Sequence, residues 1–130
     1  MENLTKLNYV SQAENVILSL REKDKWGNET IRITSTKLRN MLTMSSGLYN
    51  KLLKNRAEKL SEDLQSDIQY LRMRFAYESG RDRDVDFFVK RADLIGHIDK
   101  IGESRENALL FCRYMESLIA YHKFYGGRDR

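Results

Sequence analysis

Five segments of the chain carry apolar residues at the three- and four-residue spacing of an amphipathic helix. We predict helices near residues 6–23, 35–56, 62–79, 85–101 and 105–125. Each segment is bounded by residues that commonly start or stop helices, and no stretch alternates convincingly with the two-residue period of a strand. The pattern therefore predicts an all-α chain.

The first predicted helix has an apolar stripe made of Leu7, Val10, Ala13, Ile17 and Leu20. Residues 30–34 alternate weakly, but no second segment offers a strand to pair with them. We therefore interpret residues 30–34 as an extended linker between the first two helices.

Capping residues mark the boundaries of the second and third helices. The hydroxyl of Thr34 or Ser35 can cap the start of the second helix, and Gly47 is a position where this helix can kink or split. The third helix is expected to begin at Ser61, with acidic residues in its first turn, and to end at Gly80.

Short connections and one apolar stripe per helix predict a compact bundle of four to five mostly antiparallel helices. The 130 residues suffice for one hydrophobic core without disulfides, so we treat residues 1–130 as a single helical domain. The chain contains no proline, and nothing along it forbids long helices. The 41% apolar and 32% charged content is typical of slim helices with much exposed surface.

The chain has a single cysteine, Cys112, so no internal disulfide can form, and this is typical of a protein in a reducing compartment. The chain starts without the basic-then-apolar pattern of a secretory signal, and no apolar run approaches the roughly 20 residues that cross a bilayer. We expect a cytoplasmic protein without a membrane partner.

The residues that commonly carry catalysis are few. His97 and His122 lie on different predicted helices without a partner at metal-ligand spacing, and His122 and Cys112 share the apolar stripe of the last helix. Packing is therefore the favoured role for both. No phosphate-binding glycine loop, nucleophile elbow or metalloprotease motif occurs. The sequence predicts a non-enzyme with no metal and no cofactor.

Basic residues are the more informative group. Residues 30–57 contain six basic and no acidic residues, and Lys51 and Lys54 point away from the apolar stripe of the second helix. The third helix has a charged face, formed by Asp67, Arg74, Glu78 and Arg81, that is flanked by Tyr70 and Tyr77. Two interpretations are open for such surfaces: a solvated ladder of weak ion pairs, or a groove that binds a polyanion.

Three strings of the sequence resemble, in their order and spacing, the small helical subunit of the type III-A CRISPR effector, the Csm complex. They are Ile33 to Arg39, Tyr70 to Arg81 and Phe111 to Lys123. The most specific pieces read Ala-Tyr-Glu-x-Gly-Arg and Glu-x-x-x-Ala-Tyr-His-Lys. The resemblance covers roughly residues 33–123, and the part before Thr30 matches less clearly.

The resemblance implies a non-catalytic subunit of an antiviral defence complex. Such a subunit repeats along the effector beside other Csm subunits and neighbouring copies of itself, and it contacts the target single-stranded RNA, the guide RNA and their duplex without sequence preference. Guide–target base pairing would supply the sequence selection, so the protein needs to hold only sugar and phosphate. The alternative is a helical protein–protein adaptor without nucleic-acid contact.

Seven basic residues are predicted to contact phosphate. The matching strings supply Lys37, Arg39, Arg74, Arg81 and Lys123, and the pattern on the second helix adds Lys51 and Lys54. Arg39 and Arg81 have an alternative role, which is to pair across helices with Glu78 or Glu116. Tyr77 and Tyr121 are predicted to be packing residues rather than stacking platforms.

Overall fold

The computed structural model describes residues 2–128, which form six helices and one two-stranded hairpin. The helices are α1 Tyr9–Ser19, α2 Ser35–Lys54, α3 Glu62–Arg81, α4 Arg83–Arg91, α5 Leu94–Asp99 and α6 Arg105–Phe124. The strands are β1 Arg21–Lys23 and β2 Glu29–Ile31. The predicted mostly helical fold is confirmed, whereas the predicted number of four to five helices is wrong.

Side-chain caps fix the starts of four helices, where free backbone N–H groups would otherwise lack acceptors. The capping residues are Thr34, Ser61, Asp82 and Ser104. The predicted starts of the second and third helices are therefore confirmed. Gly47 lies inside α2 and neither ends nor splits it.

The core is organised around α6, which packs against both α1 and α2. Helix α2 also packs against α3, and α3 packs against α4 and α5. Phe75 of α3 and Phe111 of α6 are fully buried, with ring centroids 6.3 Å apart. The buried Tyr114 hydroxyl donates to the Ala92 carbonyl oxygen at 2.9 Å. These contacts fix α3 and the end of α4 relative to the central helix.

The predicted fourth helix, residues 85–101, is two helices because the backbone turns at Asp93. Asp93 has a φ of 52°, in the left-handed region that side-chain-bearing residues seldom adopt. Its carboxylate fills the space where a Cβ of Gly96 would lie, so glycine permits the turn. Leu94 and Ile98 remain buried beyond the break, and the apolar periodicity therefore concealed it.

The hairpin replaces the predicted linker. β1 pairs antiparallel with β2, Arg21 opposite Ile31, and Asp24 closes the turn by accepting from the backbone of Trp26 and Asn28. All three side chains of β1 are exposed, so this strand shows no alternation that could have revealed it.

The predicted first helix is too long at both ends. Residues 5–8 form a turn before α1 begins at Tyr9, and the segment after Leu20 belongs to β1. Leu7 is 95% exposed and Val10 is also exposed, so neither belongs to the buried stripe that the spacing suggested.

The C-terminal end of α6 holds the start of α2 in place. Gly126 adopts a φ of 78° and reverses the chain, and the Gly127 N–H donates to the His122 carbonyl oxygen at 2.7 Å. The His122 Nε2 donates to the Ile33 carbonyl oxygen at 2.8 Å, and the ring is buried. The predicted packing role of His122 is confirmed.

Arg105 anchors the opposite end of α2. Its guanidinium donates to the carbonyl oxygens of Leu52 at 2.7 Å and Asn55 at 2.8 Å. Leu52 belongs to the last turn of α2 and Asn55 directly follows the helix, where backbone acceptors lack partners within the helix. Helix α2 is therefore fixed at both ends by α6.

Candidate nucleic-acid interface

Helix α2 is the only one of the six helices in residues 2–128 whose sequence contains no acidic residue. The inner face is buried through Leu38, Met41, Ser45, Leu48 and Leu52, which leaves the opposite face to solvent. The 20 residues of α2 include four cations and no carboxylate; the cations are Lys37, Arg39, Lys51 and Lys54. Between them lie exposed uncharged polar side chains, Asn40, Thr43, Ser46 and Asn50. This face offers positive charge and hydrogen-bonding groups together.

A groove runs between α2 and α3. At one end, Met44, Leu48 and Leu71 line it with apolar surface. Its charged lining consists of Lys51, Asp67 and Arg74 at this end and Lys37, Arg74, Glu78, Arg81 and Asp82 at the other. The structure thus brings four of the seven predicted residues, Lys37, Lys51, Arg74 and Arg81, to one groove.

Two cations of α2 pair with carboxylates that are distant in the sequence. The Lys37 Nζ lies 2.8 Å from Asp82 Oδ2 and 3.7 Å from Asp84 Oδ2, and the Lys51 Nζ lies 2.8 Å from Asp67 Oδ2. The hydrogen bond with Asp82 raises the pKa of Lys37, and the same bond lowers the pKa of Asp82. The absence of acids within residues 30–57 therefore does not leave Lys37 and Lys51 without carboxylate partners. Arg32 of the same stretch also pairs with Glu22 and Asp84.

Arg81 pairs within its own helix. Its guanidinium lies 3.5 Å from Glu78 one turn earlier, so the suggested pairing across helices does not occur for Arg81. Arg39 forms no ion pair with any residue in the range 2–128, and Glu116 likewise has none there. Exposed ion pairs contribute only about 0–1 kcal/mol, so a phosphate can displace such a carboxylate at little cost.

Four of the predicted residues lie beyond ion-pair distance of every carboxylate in the described part of the chain: Arg39, Lys54, Arg74 and Lys123. Arg39 and Lys54 lie on the exposed side of α2, and Lys123 lies on the exposed side of α6, away from the groove. The seven residues therefore do not form one site.

Tyr77 does not pack, and its predicted role is wrong. Its ring is 59% exposed, and the Arg81 guanidinium carbon lies 5.7 Å from the ring centroid. Tyr121 is half-buried against the core and stacks on Tyr125 with centroids 6.3 Å apart, as predicted for a packing residue. The seven-residue spacing from Tyr70 indicates that both rings share a face of α3, but it does not indicate that this face is exposed.

A second basic hollow lies where α6 begins, and the sequence analysis did not single it out. Its cations are Lys6, Arg56, Arg105 and Arg113, and its carboxylates belong to Glu58 and Glu106. Lys6 pairs with Glu106 at 3.3 Å, and the Arg105 guanidinium donates to the Leu52 carbonyl oxygen at the end of α2. Arg113 lies inside a matching string of the sequence, which could have drawn attention to it.

The groups that commonly carry catalysis are placed in the core. Burial raises the pKa of the Cys112 thiol to about 12, which leaves the thiol protonated and poorly nucleophilic at neutral pH. Burial also lowers the pKa of His97, whose ring packs edge-on against Tyr114 at 5.0 Å. Within residues 2–128, no three His, Cys, Asp or Glu side chains are arranged to hold a metal ion. Over the same range, no helix has both the length and the hydrophobicity of a membrane-crossing segment.

Asp82 combines two roles that substitutions can separate. Its carboxylate accepts from the backbone N–H groups of Asp84 and Val85 and also pairs with Lys37. We expect Asp82→Ala to lower the free energy of unfolding by about 1–2 kcal/mol, the usual value of a helix cap. Asp82→Asn keeps a capping oxygen and is expected to lower it by less than half as much. Urea unfolding at neutral pH measures both values.

The contribution of Asp82 to the free energy of unfolding is expected to decrease as the pH falls. The folded-state pKa of Asp82 is lower than its unfolded value, so its contribution is fully present above pH about 4 and is lost as pH falls through the folded-state pKa. The stability gap between wild type and Asp82→Ala should therefore narrow in acid. Asp63→Ala, which removes a carboxylate from the first turn of α3, is the matched control. A loss for Asp82→Ala no larger than for Asp63→Ala would contradict the assignment.

Comparison with known proteins gives one consistent result. A family model described as Csm2 Type III-A matches residues 13–128, so the match begins well before Thr30. The chain is 40% identical to the Streptococcus thermophilus "CRISPR system Cms protein Csm2" over 99% of this chain and 100% of that protein. A protein of the same name from Mycobacterium tuberculosis (strain CDC 1551 / Oshkosh) is 42% identical over 94% of both chains. The one from Enterococcus italicus is 34% identical over 81% of this chain and 79% of that protein.

These matches extend over nearly the whole chain and confirm the resemblance that its three strings suggested. The mostly helical fold agrees with a small helical subunit. The chain therefore belongs to the Csm2 family, the structural small subunits of the type III-A CRISPR effector known as the Csm complex.

Proposed function

We propose that the chain is a non-catalytic subunit that contacts the target RNA and the backbone of the guide–target duplex, without sequence preference, in antiviral defence. The observation that carries this proposal is α2, whose 20 residues contain four cations and no carboxylate. At 1.5 Å per residue this helix is about 30 Å long, which equals about nine nucleotide steps of 3.4 Å. Its outer face is thus long enough to follow several phosphates.

The uncharged side chains of α2 suit contact without sequence preference. Asn40 and Asn50 are exposed between the cations and can donate to phosphate or ribose. The exposed Thr43 and Ser46 hydroxyls donate to the backbone of α2 and can accept from a ribose hydroxyl. Such contacts position a strand but do not identify its bases. Base pairing with the guide supplies that information in RNA-guided effectors.

The ion pairs divide the seven basic residues into two groups. Arg39, Lys54, Arg74 and Lys123 contact phosphate directly, because no carboxylate within residues 2–128 competes for them. Lys37, Lys51 and Arg81 contact phosphate only after releasing Asp82, Asp67 and Glu78, respectively. These three cations therefore contribute less to affinity than the first four.

Repetition along the complex requires contacts between copies and with the other Csm subunits. Head-to-tail contacts of a heterologous kind leave both ends open and allow several copies to follow one RNA. Leu7, Trp26 and Phe124 are large apolar side chains left exposed by the fold. They supply surface for neighbouring copies and partner subunits.

Binding to two unrelated single-stranded RNAs of equal length tests this proposal. The full chain is expected to bind both with affinities equal within about twofold, since backbone contacts carry no sequence information. Absence of binding to both RNAs would contradict the proposal. That result would favour the adaptor alternative, and an adaptor complex should also survive ribonuclease treatment during purification.

A further inference from the structure

The outer face of α3 carries two exposed aromatic rings that are not part of the hydrophobic core. Tyr70 and Tyr77 are 58% and 59% exposed, whereas Leu71 and Phe75 of the same helix are buried. Seven residues separate the rings, so they lie on one face, about 10 Å apart along the helix axis. Met73 is half-exposed beside them. An exposed strip of this kind is commonly an interaction surface.

Each ring has an arginine one helical turn further along. The guanidinium carbons of Arg74 and Arg81 lie 6.0 Å and 5.7 Å from the centroids of Tyr70 and Tyr77, respectively. The Arg74 Nη1 also donates to the Tyr70 hydroxyl at 3.5 Å. Ring and cation therefore alternate along α3 as Tyr70, Arg74, Tyr77 and Arg81, which we call the tyrosine–arginine strip.

We infer that the tyrosine–arginine strip binds unpaired bases of single-stranded RNA, with Tyr70 and Tyr77 stacking on two bases. This inference rests on the proposed function, because it names how the chain contacts the strand. Aromatic rings stack on every kind of base, so they add affinity without sequence selection. The neighbouring arginines can bind the phosphates of the same nucleotides.

The charge of the strip favours RNA over a protein partner. Arg74 has no ion pair with any residue in the range 2–128, and Glu78 is turned toward Arg81. A purely apolar partner would bury the Arg74 guanidinium with only the Tyr70 hydroxyl of residues 2–128 as an acceptor and without a counter-charge, which is costly. A single strand offers a base for each ring and a phosphate for each cation.

The ring spacing excludes neighbouring stacked bases as the ligands. Stacked bases are about 3.4 Å apart, whereas the rings are about 10 Å apart along the axis. Tyr70 and Tyr77 therefore contact bases two or three nucleotides apart, and the strand between them passes Arg74. A duplex presents no free base faces, so the rings contribute only where the strand is unpaired.

The test compares RNA that carries bases with an abasic ribose-phosphate oligomer of the same length. The double variant Tyr70→Leu/Tyr77→Leu should bind the base-bearing strand about 30-fold or more weakly, the effect of two stacked bases at the low end of the usual range. Its affinity for the abasic oligomer should equal that of wild type. Fluorescence anisotropy with an end-labelled strand measures all of these affinities.

Two control variants isolate the rings. Tyr70→Phe/Tyr77→Phe keeps both π faces and should retain wild-type affinity for the base-bearing strand. Met73→Leu changes an exposed side chain beside the rings without altering either ring, and should also leave affinity unchanged. Since all of these side chains are exposed, circular dichroism should show an unchanged fold.

The outcomes separate the inference from the proposed function. If wild type binds base-bearing RNA and the leucine double variant binds it equally well, stacking is overturned and the backbone contact stands. Equal wild-type affinity for the abasic and base-bearing strands would also overturn stacking alone. If wild type binds neither strand, both the inference and the proposed function fall.

Discussion

Replacing Arg39 and Lys54 together with alanine is expected to weaken binding to single-stranded RNA by about 30- to 150-fold. Each residue supplies one solvent-exposed phosphate contact of about 1–1.5 kcal/mol, within the usual net range of a hydrogen bond, so two such contacts are worth about 2–3 kcal/mol. The loss should be the same for unrelated RNA sequences, because neither residue identifies a base. Stability should change little, since both side chains are exposed and unpaired within residues 2–128.

The matched control removes the same amount of charge elsewhere. Lys59 and Lys90 are exposed and pair with Glu103 at 3.8 Å and Asp86 at 3.0 Å, respectively. Lys59→Ala/Lys90→Ala therefore changes the net charge by the same two units without touching α2. An equal loss of affinity in both double variants would show that RNA affinity depends on the net charge and not on the position of the cations. That result would contradict a specific role for α2.

Truncating Phe75 is expected to cause the largest loss of stability among these substitutions. The ring is fully buried between α3 and α6, where its centroid lies 6.3 Å from that of Phe111. Phe75→Ala should lower the free energy of unfolding by about 3–5 kcal/mol, through lost burial and the cavity left behind. Since small domains are stable by only about 5–15 kcal/mol, this is a large share of the total.

Urea unfolding measures this effect, and Met73→Ala on the same helix is the control. Met73 is half-exposed and should change the free energy of unfolding by no more than about 0.5 kcal/mol. A loss for Phe75→Ala as small as that for Met73→Ala would mean that α3 is not held by this contact. The position of the tyrosine–arginine strip would then need another explanation.

The helices that sequence reasoning predicted well are those with a capping side chain and a continuous apolar stripe. Thr34 and Ser61 were predictable because their hydroxyls act on backbone groups only three residues away. The turn at Asp93 was not, since buried side chains continue on both sides of it. The strand Arg21–Lys23 was hidden because its side chains are all exposed.

The candidate interface was less predictable because charge pairing depends on neighbours that are distant in sequence. Lys37 meets Asp82 and Lys51 meets Asp67 only after α2, α3 and α4 have packed together. The sequence showed the acid-free stretch of α2 but could not show which acids face it. The prediction for Tyr77 was wrong for a related reason, since its exposure depends on which face of α3 packs against the neighbouring helices.

The dependence of RNA affinity on salt tests most directly whether α2 contacts phosphate. If Arg39, Lys54, Arg74 and Lys123 neutralise about four phosphates per copy, the logarithm of affinity should fall against the logarithm of salt with a slope near −3. In Arg39→Ala/Lys54→Ala the slope should flatten to about −1.4, the value for the two remaining contacts of Arg74 and Lys123, while Lys59→Ala/Lys90→Ala should keep the wild-type slope. A flat response in wild type, or one common slope for wild type and Arg39→Ala/Lys54→Ala, would contradict the account.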